Sequence, residues 1–281
     1  MVVECVINVS EGRDLQLLTA LSAAAGPCLL DRHADPDHHR SVFTLAGPSD
    51  DVAAGARSLA TATVTLLDLT SHTGAHPRLG VLDVVPFVPF LPGRPPPTDL
   101  PGVVALRDAF AQWLATQLGV PSFLYGPLPG GRTRSLPEVR RHAFTELAPD
   151  FGPHEPHPTA GATAVGARPV LIAYNLWVST HEVARQVAPL ARGPAVRALA
   201  LRVGERAQVS CNLMDAAVTG PAQVHDAVAR LAREAGGAVT GAELVGLLPR
   251  AVLHAIPRAR WPELALGEEA TVEARLEGAG G

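Results

Sequence analysis

The chain of 281 residues contains no lysine; all 23 of its basic residues are arginine. That absence excludes Schiff-base catalysis, attachment of pyridoxal phosphate and the P-loop lysine. Every cationic contact must come from a guanidinium group, which suits bidentate recognition of carboxylates and phosphates. Cysteine is scarce too. Cys5, Cys28 and Cys211 are odd in number and far apart, which excludes a disulfide framework and a C-x-x-C metal pair and fits a reducing compartment. No apolar run reaches the ~18 residues of a membrane span, and the start Val2-Val3-Glu4-Cys5 lacks a signal-peptide pattern. The expectation is a cytoplasmic protein without a membrane partner. A net charge of −4 leaves no electrostatic footprint for nucleic acid.

What is present is ample core material, with 47% hydrophobic residues, enough for one large domain or two smaller ones. Apolar stretches at residues 2–9, 28–31, 41–47 and 81–87 read as strands. The periodic segments from about Asp14 to Ala25 (Leu15, Leu18 and Leu21 on one side) and from Ser49 onwards read as helices. A proline-rich loop follows, then a helix around 103–118, a short strand at 122–125 and a helix near 136–147. Residues 148–161 carry almost no apolar periodicity and mark the best internal boundary or a functional loop. The second half repeats the order: strand 169–178, helix after Ser179-Thr180-His181-Glu182, strands 197–203 and 207–213, a helix opened by Pro221, and strand 239–248. The fold class expected is α/β (α+β), with two ferredoxin-like β-α-β-β-α-β subdomains, residues 1–167 and 168–281, around a ligand groove. The tail from Pro257 to Gly281 is charged and Gly/Ala-rich, and is expected to be partly loose.

Four stretches hold groups that could do chemistry. Thr70 to Gly80 sets His72 and His76 four apart among glycines, with Pro77 stiffening the backbone and Arg78 two residues on. Histidine takes up and releases protons near neutral pH, so either ring could serve in proton transfer; the alternative is a pair of loop histidines that only cap neighbouring elements. Asp31 to Ser41 interleaves carboxylates and histidines. With His72 and His76 it could form a zinc or iron site; otherwise it could bind an amine and a carboxylate with Arg40 as the clamp, or form a solvated Asx turn. Gly152 to Gly161 is a stiff polar loop suited to walling a flat ligand, or simply a linker. The fourth puts Gln208, Ser210 and Asn212 on one face of a strand, with Cys211 facing the core.

Several blocks together resemble the glutamate formimidoyltransferases. They are Val3 to Gly12, Asp37 to Val42, Ser71 to Val84, Phe123 to Gly126, Ala148 to Pro153, Gly161 to Arg168, Leu171 to Asn175, Gln208 to Leu213 and Leu244 to Pro249. They occur in order over nearly the whole chain. The resemblance covers the formiminotransferase part alone, and the cyclodeaminase domain fused in animal members is expected to be absent. Where the family usually carries Asn, this chain has His39.

The resemblance implies transfer of the formimino group of N-formimino-L-glutamate to N5 of tetrahydrofolate, giving 5-formimidoyltetrahydrofolate and L-glutamate, in histidine breakdown. Folate is then a co-substrate, no metal is expected, and a homodimer is implied. The family's catalytic histidine falls on His76. Its folate-binding segment falls on Gly152, Pro153, His154, Glu155, Pro156, His157, Pro158, Thr159, Ala160 and Gly161. Arg78, Arg40 and Arg168, with His39 and Asp37 in the polar turn, are the candidates for binding the substrate's carboxylates or the folate tail. The alternatives are a metal-dependent hydrolase of formimino- or formylglutamate, a formyl-group transferase, or a non-catalytic folate-binding relative.

Overall fold

The computed structural model describes residues 1–74, 78–94 and 100–279. It resolves into two compact units, 1–90 with 97–169, and 91–96 with 170–281.

The first unit begins β1 (Val2–Val9), α1 (Leu15–Ala25), β2 (Leu29–Asp35), β3 (Arg40–Pro48), α2 (Ser49–Leu66) and β4 (Leu82–Phe90). Asp14 starts α1 by accepting the N–H groups of Gln16 and Leu17, at 2.8 and 3.0 Å, which satisfies two of the orphan donors of a helix start. Leu18 and Leu21 face the core as expected, but Leu15 at the first helical position is 71% exposed. After β4 come α3 (Pro101–Leu118), β5 (Ser122–Pro127), the short β6 (Thr133–Arg134), α4 (Leu136–His142) and β7 (Thr163–Ala167). The sheet order is β2-β3-β1-β4-β7-β5-β6. Its first four strands have the order of the split βαβ arrangement.

The extension is a departure from the expected four strands. β7 runs parallel between β4 and β5, and its sequence Thr163-Ala164-Val165-Gly166-Ala167 has too little bulk to signal a strand. The glycine is required there: a Cβ on Gly166 would lie 2.0 Å from Cζ of Tyr125. Alternate residues of these strands feed two cores. Val85, Leu124 and Val165 join the large cluster under α1, α2 and α3, and Val84, Phe123 and Ala164 join a smaller one with Val139 of α4. The expected helix to residue 147 ends five residues early. After His142 the chain turns, Phe144 adopts a left-handed φ of 62°, and the N–H groups of Thr145, Glu146 and Leu147 all bond the His142 carbonyl.

The second unit contains β8 (Ile172–Val178), α5 (His181–Leu190), β9 (Val196–Val203), β10 (Arg206–Leu213), α6 (Pro221–Glu234) and β11 (Val239–Val245). Its antiparallel sheet has the order β11-β8-β10-β9, the same β-α-β-β-α-β wiring. Thr180 caps α5 by accepting the Val183 N–H at 3.2 Å. Val183, Val187, Val224 and Val228 are buried with Tyr174, Leu176, Val209 and Cys211 of the sheet. The expectation of a partly loose tail is overturned as far as residue 279. α7 (Arg250–His254) and α8 (Val272–Ala279) flank short turns, and Leu264, Leu266 and Val272 are buried. These three apolar residues anchor the tail. Among the described residues no helix is long and apolar enough to cross a membrane.

Candidate functional site

Three of the four stretches singled out in the sequence meet at one end of the first unit's sheet. Leu69 and residues 79–81 lie against residues 159–162. Leu69 N–H bonds Thr159 O at 2.7 Å, Val81 N–H bonds Ala160 O at 3.0 Å and Ala162 N–H bonds Leu79 O at 3.0 Å. The approach depends on a glycine pair. A Cβ on Gly80 would sit 2.3 Å from Ala160 O, and one on Gly161, whose φ is +71°, would sit 2.4 Å from Leu79 O. The turn before this contact is closed by His157. Its Nδ1 accepts the Ala160 N–H at 3.0 Å, and its backbone exchanges hydrogen bonds with Gly161. Gly152 to Pro156 are half-buried or exposed, as are Pro158 and Thr159.

The Asp31 to Ser41 stretch joins from the β2–β3 turn. Asp35 builds that turn, accepting the N–H groups of Asp37 (2.8 Å) and His38 (2.9 Å) and pairing with His38 Nδ1 at 2.5 Å. Asp37 is exposed. His39 has a left-handed φ of 50°. Its Nδ1 lies 2.9 Å from Thr73 O and its Nε2 3.2 Å from Glu11 Oε1. Its ring stacks on His72, centroids 4.0 Å apart. His72 Nε2 donates to His39 O at 3.0 Å. Arg78 Nη1 lies 2.5 Å from both ring nitrogens, and Nδ1 is the one left to accept. That tautomer is neutral. Burial, then the positive charge of Arg78, holds the His72 ring below its ordinary pKa. Burial opposes ionisation of Glu11, yet the N–H groups of Asp14, Arg13 and Gly12 and the His39 ring hold its carboxyl below the usual range.

Beneath these loops lies a group the sequence reading passed over. Asp83 is fully buried. Its Oδ2 pairs with Arg40 Nη1 at 2.5 Å and Arg140 Nη2 at 2.6 Å, and its Oδ1 accepts the Leu79 N–H at 2.8 Å. Arg40 also donates to Asn8 Oδ1, at 3.1 Å from Nε and 2.7 Å from Nη2. Burial raises the proton affinity of Asp83, but Arg40 and Arg140 outweigh it and the carboxyl stays below its ordinary range. The pairing of β1 with β4 shifts between Asn8 and Val9, with Asn8 opposite Val84 and Val9 opposite Leu82. Asp83 is therefore the extra residue of a β-bulge, a device that re-aims a side chain. A signal was available: a carboxylate inside Val81-Leu82-Asp83-Val84-Val85 cannot stay buried without a cationic partner.

Other candidates fall elsewhere. Ala75, His76 and Pro77 lie outside the described residues. Arg168 follows β7 at its far end: its N–H bonds Phe87 O and its guanidinium bonds Pro169 O at 2.9 Å. Phe87 lies four residues beyond Asp83, roughly 13 Å along the strand. Gln208 and Asn175, on the polar face of the second sheet, both donate to Glu243, at 3.3 and 3.2 Å. Cys211 is buried, which pushes its thiol up to about 12.

Residues 2–168 match the family described as the formiminotransferase domain, N-terminal subdomain, and residues 173–259 match the formiminotransferase domain. The chain belongs to the formiminotransferase family. It is 39% identical to the formimidoyltransferase-cyclodeaminase of Sus scrofa over 284 aligned residues, covering 90% of this chain and 51% of that protein. The chain thus spans about half the length of that relative. The glutamate formimidoyltransferase of Streptococcus pyogenes serotype M1 is 34% identical over 90% of both chains. That of Thermoplasma acidophilum is 31% identical over 89% of both. The formiminotransferase match extends across both compact units.

Proposed function

We propose that the protein transfers the formimino group of N-formimino-L-glutamate to N5 of tetrahydrofolate, releasing L-glutamate. The observation that carries the reading is the family match across both units, with two relatives named glutamate formimidoyltransferase aligned over about nine-tenths of their length. The junction of residues 69–74 and 78–81 with the 157–162 and 35–40 segments supports it by gathering His39, His72, Arg40, Arg78 and a stiff polar loop at one place.

In the reaction, N5 of the pterin adds to the amidine carbon of the donor, and the C=N bond becomes a single bond. His76 takes the N5 proton and returns it to the departing glutamate nitrogen as the C=N bond re-forms and the carbon–nitrogen bond to glutamate breaks. Holding both substrates side by side supplies much of the rate through proximity. His72, neutral and fixed by Arg78 and the His39 carbonyl, is a support for the loop. We assign Arg40, Arg78, His39 and Asp37 to the glutamate donor, the Gly152 to Gly161 segment to folate, and Arg168 to the folate tail. Residues 1–167 and 168–281 are read as the two subdomains of a cytosolic homodimer.

Mixing the purified protein with formiminoglutamate and tetrahydrofolate and following the 5-formimino product spectroscopically tests this. Product formation should require folate. Release of glutamate at the same rate without folate would overturn the reading. His76→Ala should lower turnover by ~10²–10⁴-fold with the fold intact, and near-normal turnover would remove His76 from its role.

A further inference from the structure

We propose that the outer edge of β9 is the surface through which two copies of this chain associate, the two β9 strands pairing antiparallel about Ala200; this rests on the homodimer of the reading above and names its interface. β9 ends the order β11-β8-β10-β9 and pairs on its inner side with β10. Its first residue shows which backbone groups face outwards. Val196 and Gly193 exchange hydrogen bonds, at 3.2 Å from the Val196 N–H and 2.9 Å to the Val196 carbonyl, so both groups of Val196 point away from β10. Outward-facing residues alternate along an antiparallel strand, which adds Ala198, Ala200 and Arg202. The Ala198 carbonyl agrees, since it accepts from Arg192 Nε at 2.9 Å. Gly193 and Arg192 thus blunt the start of the edge, and the stretch from Ala200 to Arg202 stays open. An open strand edge is a template for another strand.

The sequence of β9, Val-Arg-Ala-Leu-Ala-Leu-Arg-Val, reads nearly the same in both directions, which suits it to a copy of itself. A two-fold axis through the sheet beside Ala200 sets Ala200 opposite Ala200 of the second copy and Ala198 opposite its Arg202. These are the outward-facing residues, so each pair can exchange two N–H···O bonds. The Ala198 carbonyl accepts one on the lone pair that Arg192 leaves. The same register lays Leu199 against Leu201 of the second copy, in the closely spaced kind of pair where side chains meet. Leu199 is 57% exposed in the single chain, and Leu201 is half-buried. Arg197 falls opposite Val203 and Arg202 opposite Ala198, so no guanidinium directly faces another. Moving the axis one residue either way is worse. One shift calls on Val196, whose groups Gly193 already holds, and the other carries Ala198 past the end of the partner strand. The contact uses the same surface on both copies, as a closed two-fold dimer requires.

Light scattering and sedimentation of wild type, Leu199→Arg and Ala200→Pro test this. Wild type should show twice the 29.3 kDa of one chain. Leu199→Arg sets a guanidinium against a leucine, and Ala200→Pro removes the N–H of the central pair while sparing the bonds to β10. Each should raise the dimer dissociation constant by about tenfold or more, with the circular dichroism of wild type. If Ala200→Pro does not fold, Leu199→Arg decides, because its side chain is exposed. Ala200→Cys should form a disulfide-linked dimer under mild oxidation, since the Cα atoms of such a pair lie about 5.5 Å apart, within disulfide reach. Wild type, whose three cysteines are buried, should not. A wild type that stays monomeric leaves the edge to some other partner and overturns the proposal together with the homodimer. A dimer that Leu199→Arg does not weaken, or that Ala200→Cys does not cross-link, overturns this interface and leaves the homodimer standing. Folate-dependent transfer is read in its own assay, so neither result decides the transferase reading.

Discussion

His39 shows how a backbone angle can decide which substitutions a position accepts. At φ 50° a side chain must tolerate the left-handed region, where Asn, Asp and His are enriched and β-branched residues are strained. His39 thus has the one property the turn needs. His39→Val should cost about 1–3 kcal/mol in chemical unfolding, with His39→Asn clearly less. Equal losses would show that the ring contacts to Glu11 and Thr73, and not the angle, hold the turn. At this scale the sequence was legible for residue types and silent on pairing. His39, Arg40 and Arg78 stood out as polar groups in loops, but the partners of Arg40 lie 32 and 43 positions away. Only strand order brings them together.

Among the elements, those with bulk at the right period were readable and those made of small residues were not. β1, β3 and β4 announced themselves through Val, Ile, Leu and Phe; β7 did not, because Thr163-Ala164-Val165-Gly166-Ala167 carries little bulk, and at Gly166 the Tyr125 ring leaves no space for a Cβ. Gly166→Ala places a methyl group inside the Tyr125 ring and should destabilise the first unit by about 1–3 kcal/mol, read as a lowered thermal midpoint. Pairing it with Tyr125→Leu should recover part of the loss; no recovery would contradict the clash as its cause. α4 was overextended in sequence because Phe144 and Leu147 continue an apolar spacing. Their real partners are in the small cluster with Phe123, with Phe123 and Phe144 edge to face at 4.9 Å. A turn satisfies that packing as well as a helix would.

For the molecule as a whole, the repeated β-α-β-β-α-β order was visible in the apolar pattern because each half needs its own amphipathic helices and strands. The meeting of residues 69–74 and 78–81 with loops 157–162 and 35–40 was not, since it depends on β4 and β7 being neighbours. The buried charges give the molecule a defined response to acid. His72 is held below its ordinary pKa, so the unfolded chain takes up its proton first and stability drops as pH falls below ~6.5. Asp83, Glu11 and Asp35 are also depressed. Their contribution is complete above the ordinary carboxylate range of ~4 and is lost only as pH falls through their folded values. Urea midpoints at about pH 8, 6, 5 and 3.5 separate the two stages. A gain in stability from 8 to 6 would contradict the first, and a flat response from 5 to 3.5 the second. The bulge at Asp83 has a final consequence, for how this chain can change in length. A strand keeps its two faces by counting, odd from even, and here one surplus residue resets the count so that Leu82 and Val84 serve different cores. Removing any one residue between Leu79 and Asp83 would leave composition almost untouched while turning a charge towards hydrocarbon. A deletion scan should find this short interval intolerant of any loss, even where single substitutions in it are accepted.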